Sequence, residues 1–358
     1  NAMTLKRLIM PLLAAAVLAG FSGVADAQTS QVSQAQRSRK VFGVAFYNLE
    51  NLFDTINNNG KYDLEFSPQG KNKWDGYKYW SKINNLSYAI SQFKTRRTPD
   101  GPAIIGVSEI ENITVLQDLV KAKDIADRNL QVVHHDSPDR RGVDVGLLYD
   151  PKQFRVIDVT NHTLYLPQLP DFRTRDQMCV FGLLGGQRVG VIVNHWPSRR
   201  GGEKQSSWLR EAAAELSRHI ADSLTNLYPD CGIIVMGDLN DDPGNKSCAQ
   251  VLGAKKKISQ VKPGGFFNPF WQKLDEGIGS YIYRGGWDLF DQIIVGYNLL
   301  PDGKSRLVYD GALVINNLPF LFQSDGQYKG YPFRTFSGGV WTNGYSDHLP
   351  TEIFLTFK

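Results

Sequence analysis

The chain has 358 residues, with 40 Lys and Arg against 36 Asp and Glu and a formal net charge of +4. Its three cysteines, of which at most two can pair, exclude a disulfide framework, so stability must come from a buried core. No fixed-period repeat and no central Pro/Ser tract is present, which excludes a repeat array, and the weak basic excess is compatible with an anionic substrate without requiring one.

Asn1-Ala2 ahead of Met3 reads as a cloning remnant. Lys6 and Arg7 then precede an apolar stretch over 8–24, followed by Ala25-Asp26-Ala27. This is the order of a secretory signal peptide, with cleavage expected after Ala27 and a secreted or periplasmic product. A membrane anchor is the competing reading. Against it, Pro11, Gly20, Ser22 and Gly23 break the stretch, which falls short of the roughly 20 apolar residues a spanning helix needs. With no cysteine near the cleavage point, a lipoprotein is not expected. Residues 28–39 are polar and read as a flexible lead-in. Residues 40–358 read as a single domain, a length that large α/β folds reach.

Short β-branched runs predict strands over 41–47, 103–107, 130–133, 143–149, 154–159, 178–184, 188–195, 232–236, 291–295, 307–314 and 351–357. Several are continuously apolar, as strands covered on both faces are. A helix is predicted over 79–93 from the stripe Ile83, Leu86, Ala89, Ile90 and Phe93. A longer one over 203–227 follows from Leu209, Ala212, Ala213, Leu216, Ile220 and Leu224. A hairpin is expected around Gly185-Gly186-Gln187. The mixture argues for an α/β sandwich rather than a purely parallel sheet. Residues 319–344 are crowded with aromatics and glycines. They read either as a substrate lip or as packing over a sheet edge.

Polar groups stand at the ends of the apolar runs. Asp347-His348 puts a carboxylate for a cation beside an imidazole for a proton. Asp238 and Asn240 follow a buried strand and would share one face if the chain stays extended; a turn at Asp241-Asp242-Pro243-Gly244 is the alternative. Glu109 ends a run too apolar to hold an unpaired charge cheaply, and Glu111 competes with it as a ligand. Asn48 reads as a metal or phosphate contact or as a helix cap. His195 precedes Arg199-Arg200, and Arg140-Arg141 forms a second arginine turn; guanidinium pairs suit phosphate but are also common as solvated surface. Asp291 opens a strand and could orient His348.

Taken together, Phe46-Tyr47-Asn48-Leu49, Ser108-Glu109-Ile110, 143–149, Asn194-His195, Gly237-Asp238-Leu239-Asn240 and Ser346-Asp347-His348 resemble, in order, the motifs of the endonuclease/exonuclease/phosphatase superfamily, and its exported bacterial branch in particular. The resemblance spans nearly all of the chain from residue 41 onward. It implies a DNase-I-like four-layer α/β sandwich, two packed mixed β-sheets flanked by helices, and a divalent cation, Mg2+ first, with Mn2+ or Ca2+ as alternatives. It further implies Glu109, Asn48 and Asp347 as metal ligands and Asp238 with Asn240 positioning water and phosphate. His348, oriented by Asp291, would transfer the proton, and His195 would stabilise the pentacovalent phosphorus or protonate the leaving oxygen. Which of Asp238 and His348 is the base stays open. One departure is Ser108-Glu109 where several relatives carry Gln-Glu.

The expected activity is metal-assisted in-line hydrolysis of a phosphodiester by a monomer with no stable protein partner. A nuclease gripping nucleic acid through Arg141, Arg199 and Arg200 is the first reading. A phosphatase or a phospholipid or inositol-phosphate phosphodiesterase is the second. A non-catalytic binding protein on the same fold is the third, and it would be expected to lack groups that are all present here.

Overall fold

The computed structural model describes residues 40–56 and 65–358; the signal peptide and lead-in expected over 1–39 lie outside the described residues. In chain order the strands of the first sheet are β1 (Val41–Leu52), β2 (Ile104–Ile110), β3 (Gln131–His134) and β4 (Asp144–Tyr149). Helices α1 (Gly76–Ser91) and α2 (Ile113–Val120) lie between them in sequence. The second sheet follows, with β5 (Phe154–His162), β6 (Gln177–Leu184), β7 (Gln187–His195), helix α3 (Glu203–Leu227), β8 (Gly232–Asp238) and the two-residue strands β9 (Ala254–Lys255) and β10 (Phe266–Phe267). After the short helix α4 (Trp271–Asp275) come the hairpin β11 (Tyr281–Tyr283) and β12 (Gly286–Asp288), then β13 (Asp291–Gly296). The chain closes with β14 (Leu307–Ile315), the small hairpin β15 (Phe336–Ser337) and β16 (Val340–Trp341), and β17 (Thr351–Phe357).

The first sheet has the order β14-β17-β1-β2-β4-β3 and the second β5-β6-β7-β8-β13-β10-β9. Each is built around a parallel pair joined by a helix, β1-α1-β2 and β7-α3-β8, with antiparallel strands on either side. This architecture is why the strands read as continuous apolar runs. On β1, Phe42, Val44 and Phe46 enter the core between the sheets, while Ala45, Tyr47 and Leu49 face the helical layer. Truncating a residue such as Phe46, fully buried in that inter-sheet core, would cost about 3–5 kcal/mol.

Helix α1 starts at Asp75, whose carboxylate accepts the Lys78 N–H at 3.0 Å, and packs Ile83, Leu86 and Ile90 on the outer face of the first sheet. Helix α3 lays Ala213, Ala214, Ile220 and Ala221 on the outer face of the second, against Ile192, Ile233 and Val235. The result is four layers, helix–sheet–sheet–helix.

All eleven strand regions predicted from the sequence are present, and the long helix occupies 203–227 as expected. The β6–β7 hairpin turns on Gly185 and Gly186 alone. Both have positive φ, 55° and 84°, the conformation a two-residue type I′ turn demands, and Gln187 belongs to β7. Of the 319–344 aromatics, Phe320, Phe322 and Phe336 lie against the core of the α1 layer, while Tyr328 is exposed and Tyr331 and Trp341 are half-buried. The three cysteines are free and buried. No helix among the described residues is long and apolar enough to cross a membrane.

Candidate active site

Strand pairing alone assembles half of the site. In the parallel β7–β8 pair His195 stands beside Asp238, and in the antiparallel β8–β13 pair Asp291 stands on its other side. Residues in register point to the same face, so the three side chains form a row across three strands. His195 Nε2 is 3.5 Å from Asp238 Oδ2. The chain makes room for this row at Gly237, whose φ is 152° and where a Cβ would meet the Asn194 carbonyl oxygen at 2.1 Å.

The first sheet closes on the row from across the sandwich. Asn48, on β1 where its regular pairing with β2 breaks off, donates from Nδ2 to Asp238 Oδ2 at 3.0 Å. His348 arrives just before β17, its Nδ1 2.7 Å from Asp291 Oδ2 and its Nε2 3.7 Å from Asp238 Oδ2. Three further contacts fix the imidazole. Ser280 Oγ donates to the same Asp291 oxygen at 2.5 Å. The Tyr281 ring stacks on His348 with centroids 4.7 Å apart. Ser346 Oγ accepts the His348 N–H at 3.1 Å and donates to the Asn48 carbonyl at 2.6 Å.

These groups are buried, and their charges are set by one another. Burial favours a neutral His348, but Asp291 and Asp238 outweigh it and hold the imidazole well above its ordinary pKa. Burial, reinforced by Arg175, drives His195 the other way, well below. Burial pushes Asp238 up to about 6, against the pull of His348. Two imidazoles in one cleft thus favour opposite charge states, the pattern that separates acid from base roles.

Glu109 sits in a bulge between Ser108 and Ile110, at φ 59°, which takes it out of the ladder and turns it into the cleft. Arg141 reaches its two carboxylate oxygens at 3.4 and 3.2 Å, and the Asn51 N–H donates to Oε2 at 2.9 Å. Burial opposes the charge, but Arg141, through its charge and its hydrogen bond, and the charged His348 hold the Glu109 carboxyl well below the usual range. Beyond the bulge, Glu111 accepts the Asp54 N–H at 2.8 Å and does not line the cleft. The bulge therefore puts Glu109, and not Glu111, in the cleft. Asp347 is at the cleft too, with Arg334 Nη2 on its Oδ2 at 3.0 Å. Non-glycine residues in the left-handed region gather at these strand ends: Glu50, Asn51, Glu109 and Asn240.

Glu109 and Asp347 are partly open to the cleft, each paired with an arginine, Arg141 and Arg334, and their carboxylate oxygens are the donor type a hard divalent cation takes. Asn48 does not face them in the same way: its Oδ1 accepts the Glu50 N–H at 2.9 Å and its amide nitrogen is on Asp238, so it orients that carboxylate. Ligand-type atoms of Asp238, Asp291 and His348 also lie within 4.8 Å of one another. Two of those are already hydrogen-bonded to each other, which suits proton transfer better than coordination.

Asn240 departs from the extended geometry considered above. Strand β8 stops at Asp238, Asn240 has φ 50°, and its N–H donates to Asp238 Oδ1 at 3.0 Å, an Asx turn. Its Nδ2 donates to the Trp196 carbonyl at 2.9 Å. The pair lines the cleft through that turn and not through a shared strand face. Arg199 is also committed: Nε donates to the Asn240 carbonyl at 2.9 Å, the guanidinium lies near Asp241, Asp242 and Asp288, and Phe290 stacks beneath it at 4.6 Å. It braces the turn, whereas Arg200 is exposed at the rim.

The cleft encloses about 590 Å³ and is walled on one side by Tyr281 and Tyr283. Neither tyrosine, nor Ser280 and Arg334, was legible as a site residue. The tyrosines lie on a three-residue strand with no periodic signal, and Arg334 is a lone cation in an aromatic segment.

Solved structures share this fold. A humanized D. rerio TDP2 with 14 mutations is 13% identical with a TM-score of 0.54, covering 88% of this chain and 99% of its own. D. rerio TDP2 complexed with a single-strand DNA product is 14% identical with a TM-score of 0.53, covering 88% and 98%. An endonuclease/exonuclease/phosphatase family protein from Bacteroides thetaiotaomicron is 15% identical with a TM-score of 0.51, covering 90% and 96%. No curated protein matches the chain. A family model does match it, over residues 43–357, and the chain belongs to the Endonuclease/Exonuclease/phosphatase family, with its DNase-I-like fold.

Proposed function

We propose that the protein is an exported, divalent-metal-dependent phosphodiesterase that hydrolyses nucleic acid by in-line attack of water. The observation that carries the reading is the convergence of His195, Asp238, Asp291 and His348 on one point, opposite the carboxylates of Glu109 and Asp347 in the same cleft. A cation held by those two carboxylates would supply charge neutralisation at the phosphoryl oxygens. An all-oxygen donor set favours Mg2+, with Mn2+ or Ca2+ as alternatives.

The roles follow from charge. Asp238, with a pKa of about 6, is ionised near neutral pH, and both its oxygens are anchored, by Asn48 and by the Asn240 N–H; it accepts the proton of the attacking water. His348, held protonated by Asp291, presents a charged Nε2–H to the phosphoryl oxygens. His195, kept neutral, offers a hydrogen bond at the same centre.

Arginine at the rim and the tyrosine wall favour a nucleic-acid strand, whose recognition is mostly phosphate contact and stacking. The test is hydrolysis of an oligonucleotide, a small bis-aryl phosphodiester and an aryl phosphomonoester, each with Mg2+ and with EDTA. EDTA-sensitive cleavage of the oligonucleotide supports the reading. Cleavage of the monoester alone makes the protein a phosphatase.

A further inference from the structure

Beside the cleft, and sharing Arg141, Ser198 and Arg200 with it, lies a groove of about 540 Å³. It is framed by the Arg140-Arg141 turn, the 163–176 connection between β5 and β6, and the turn after β7. Five arginines line it against two aspartates, and of those two Asp139 is buried on Arg175 at 3.3 Å.

Elsewhere in the molecule arginines with structural roles are paired with carboxylates, as Arg199, Arg210 and Arg188 are. In this groove three are not. Arg140, Arg173 and Arg200 are exposed and, among the described residues, form no ion pair. Two of them are nevertheless held in place by backbone carbonyls, which fix a guanidinium without neutralising it. Arg140 Nη2 donates to the Asp171 carbonyl at 2.6 Å, and Arg173 Nη1 to those of Pro170 and Phe172 at 2.7 and 2.8 Å. Between these cations the lining is apolar. Leu169 is exposed, and Phe172 rests on the core of the second sheet while remaining partly open.

We propose that this groove is a second nucleotide subsite, which takes an unpaired strand leading away from the scissile phosphate, its backbone on Arg140, Arg173 and Arg200 and a base against Phe172. A duplex presents phosphates but no free base face, so fixed cations alternating with an apolar floor suit a single strand. The inference rests on the nucleic-acid reading above and adds to it the strand's path and its unpaired state.

The test is equilibrium binding of a short fluorescein-labelled oligothymidylate by anisotropy, in EDTA so that no cleavage intervenes, to the wild type and to an Arg140→Gln/Arg173→Gln double variant. Neither arginine belongs to the proposed catalytic machinery, and turnover of the small bis-aryl diester is expected to be the same in both proteins. Binding by the double variant is expected to weaken at least about tenfold, and its dependence of log K on log salt to become shallower by about 1.4, two contacts at roughly 0.7 each. A matched duplex is expected to bind more weakly than the single strand. Equal affinity and salt slope in the two proteins would overturn the groove assignment, and equal binding of duplex would overturn the unpaired strand. If the wild type cuts DNA while the double variant binds as well as the wild type, the groove assignment fails and the nuclease reading stands. If the wild type hydrolyses the small diester but neither binds nor cuts nucleic acid, both fail.

Discussion

The Nδ1 of His348 lies 2.7 Å from Oδ2 of Asp291, and that contact settles which imidazole nitrogen faces the cleft. Asp291 is fully buried, and Ser280 shares the same oxygen, so the dyad is fixed on both sides before any substrate arrives. Replacing Asp291 with Asn keeps the shape but removes the charge that holds His348 protonated. We predict that Asp291→Asn lowers kcat on a small phosphodiester by roughly 10²–10⁴-fold, the range of a lost acid–base partner, with an unchanged circular dichroism spectrum. A loss under about threefold would mean that the dyad is structural.

With Asp238 as the proposed base, the pH dependence of the reaction follows from its titration. Its carboxyl is raised to about 6, chiefly by burial, so the base form is gained as pH rises through that value. We predict that kcat/KM climbs between about pH 5 and 7 and that Asp238→Asn flattens the climb along with most of the activity. A profile that instead falls over that range would assign the titrating group to an acid.

Glu352 offers a test of the fold, away from the cleft. Buried in β17, with Oε1 lacking a partner, its carboxyl is pushed up to about 8 by burial despite Arg128. A folded-state pKa above the unfolded one means that the folded chain binds the extra proton. The contribution to stability is therefore fully present below the ordinary value of 4.5 and is lost as pH rises through about 8. We predict that Glu352→Gln, which cannot ionise, is more stable than the wild type at pH 8–9 by an amount on the order of 1–3 kcal/mol, and that the gap closes near pH 5. Thermal melts across this range check it; a gap that does not change with pH contradicts the assignment.

Gly237 tests the backbone that carries Asp238. With φ at 152° and the Asn194 carbonyl in the place of a Cβ, Gly237→Ala must move β7 or β8. We predict a loss of about 1–3 kcal/mol in stability, and activity reduced beyond what the loss of folded protein explains, because His195 and Asp238 are register neighbours. Melting temperature and activity per folded molecule, measured together, separate the two effects.

How much of this was legible from the sequence depended on whether a residue's position follows from strand pairing. His195, Asp238 and Asp291 stand at the ends of apolar runs, and register alone brings them into a row. What escaped was set by single torsions. The choice of Glu109 over Glu111 turns on one bulge, and the bend at Asn240 replaces the extended pair with an Asx turn. Arg199 looked like a phosphate ligand from its neighbours in sequence, but nearby carboxylates that the fold brings to it claim its guanidinium. Tyr281 and Arg334 act through contacts with His348 and Asp347, and such tertiary neighbours leave no periodic trace. For the 319–344 aromatics composition is conspicuous, yet it does not say which rings a loop buries: Phe320, Phe322 and Phe336 pack on the core and Tyr328 is exposed.

Metal dependence at Glu109 is read from a Mg2+ titration of small-diester hydrolysis by metal-stripped wild type and Glu109→Gln. For the wild type we predict no turnover in EDTA and full recovery with Mg2+. For Glu109→Gln it predicts a loss on the order of 10³-fold at low Mg2+, partly regained as the concentration rises. Undiminished hydrolysis in EDTA, or a Glu109→Gln titration that overlays the wild type, would contradict a metal-dependent site at this cleft.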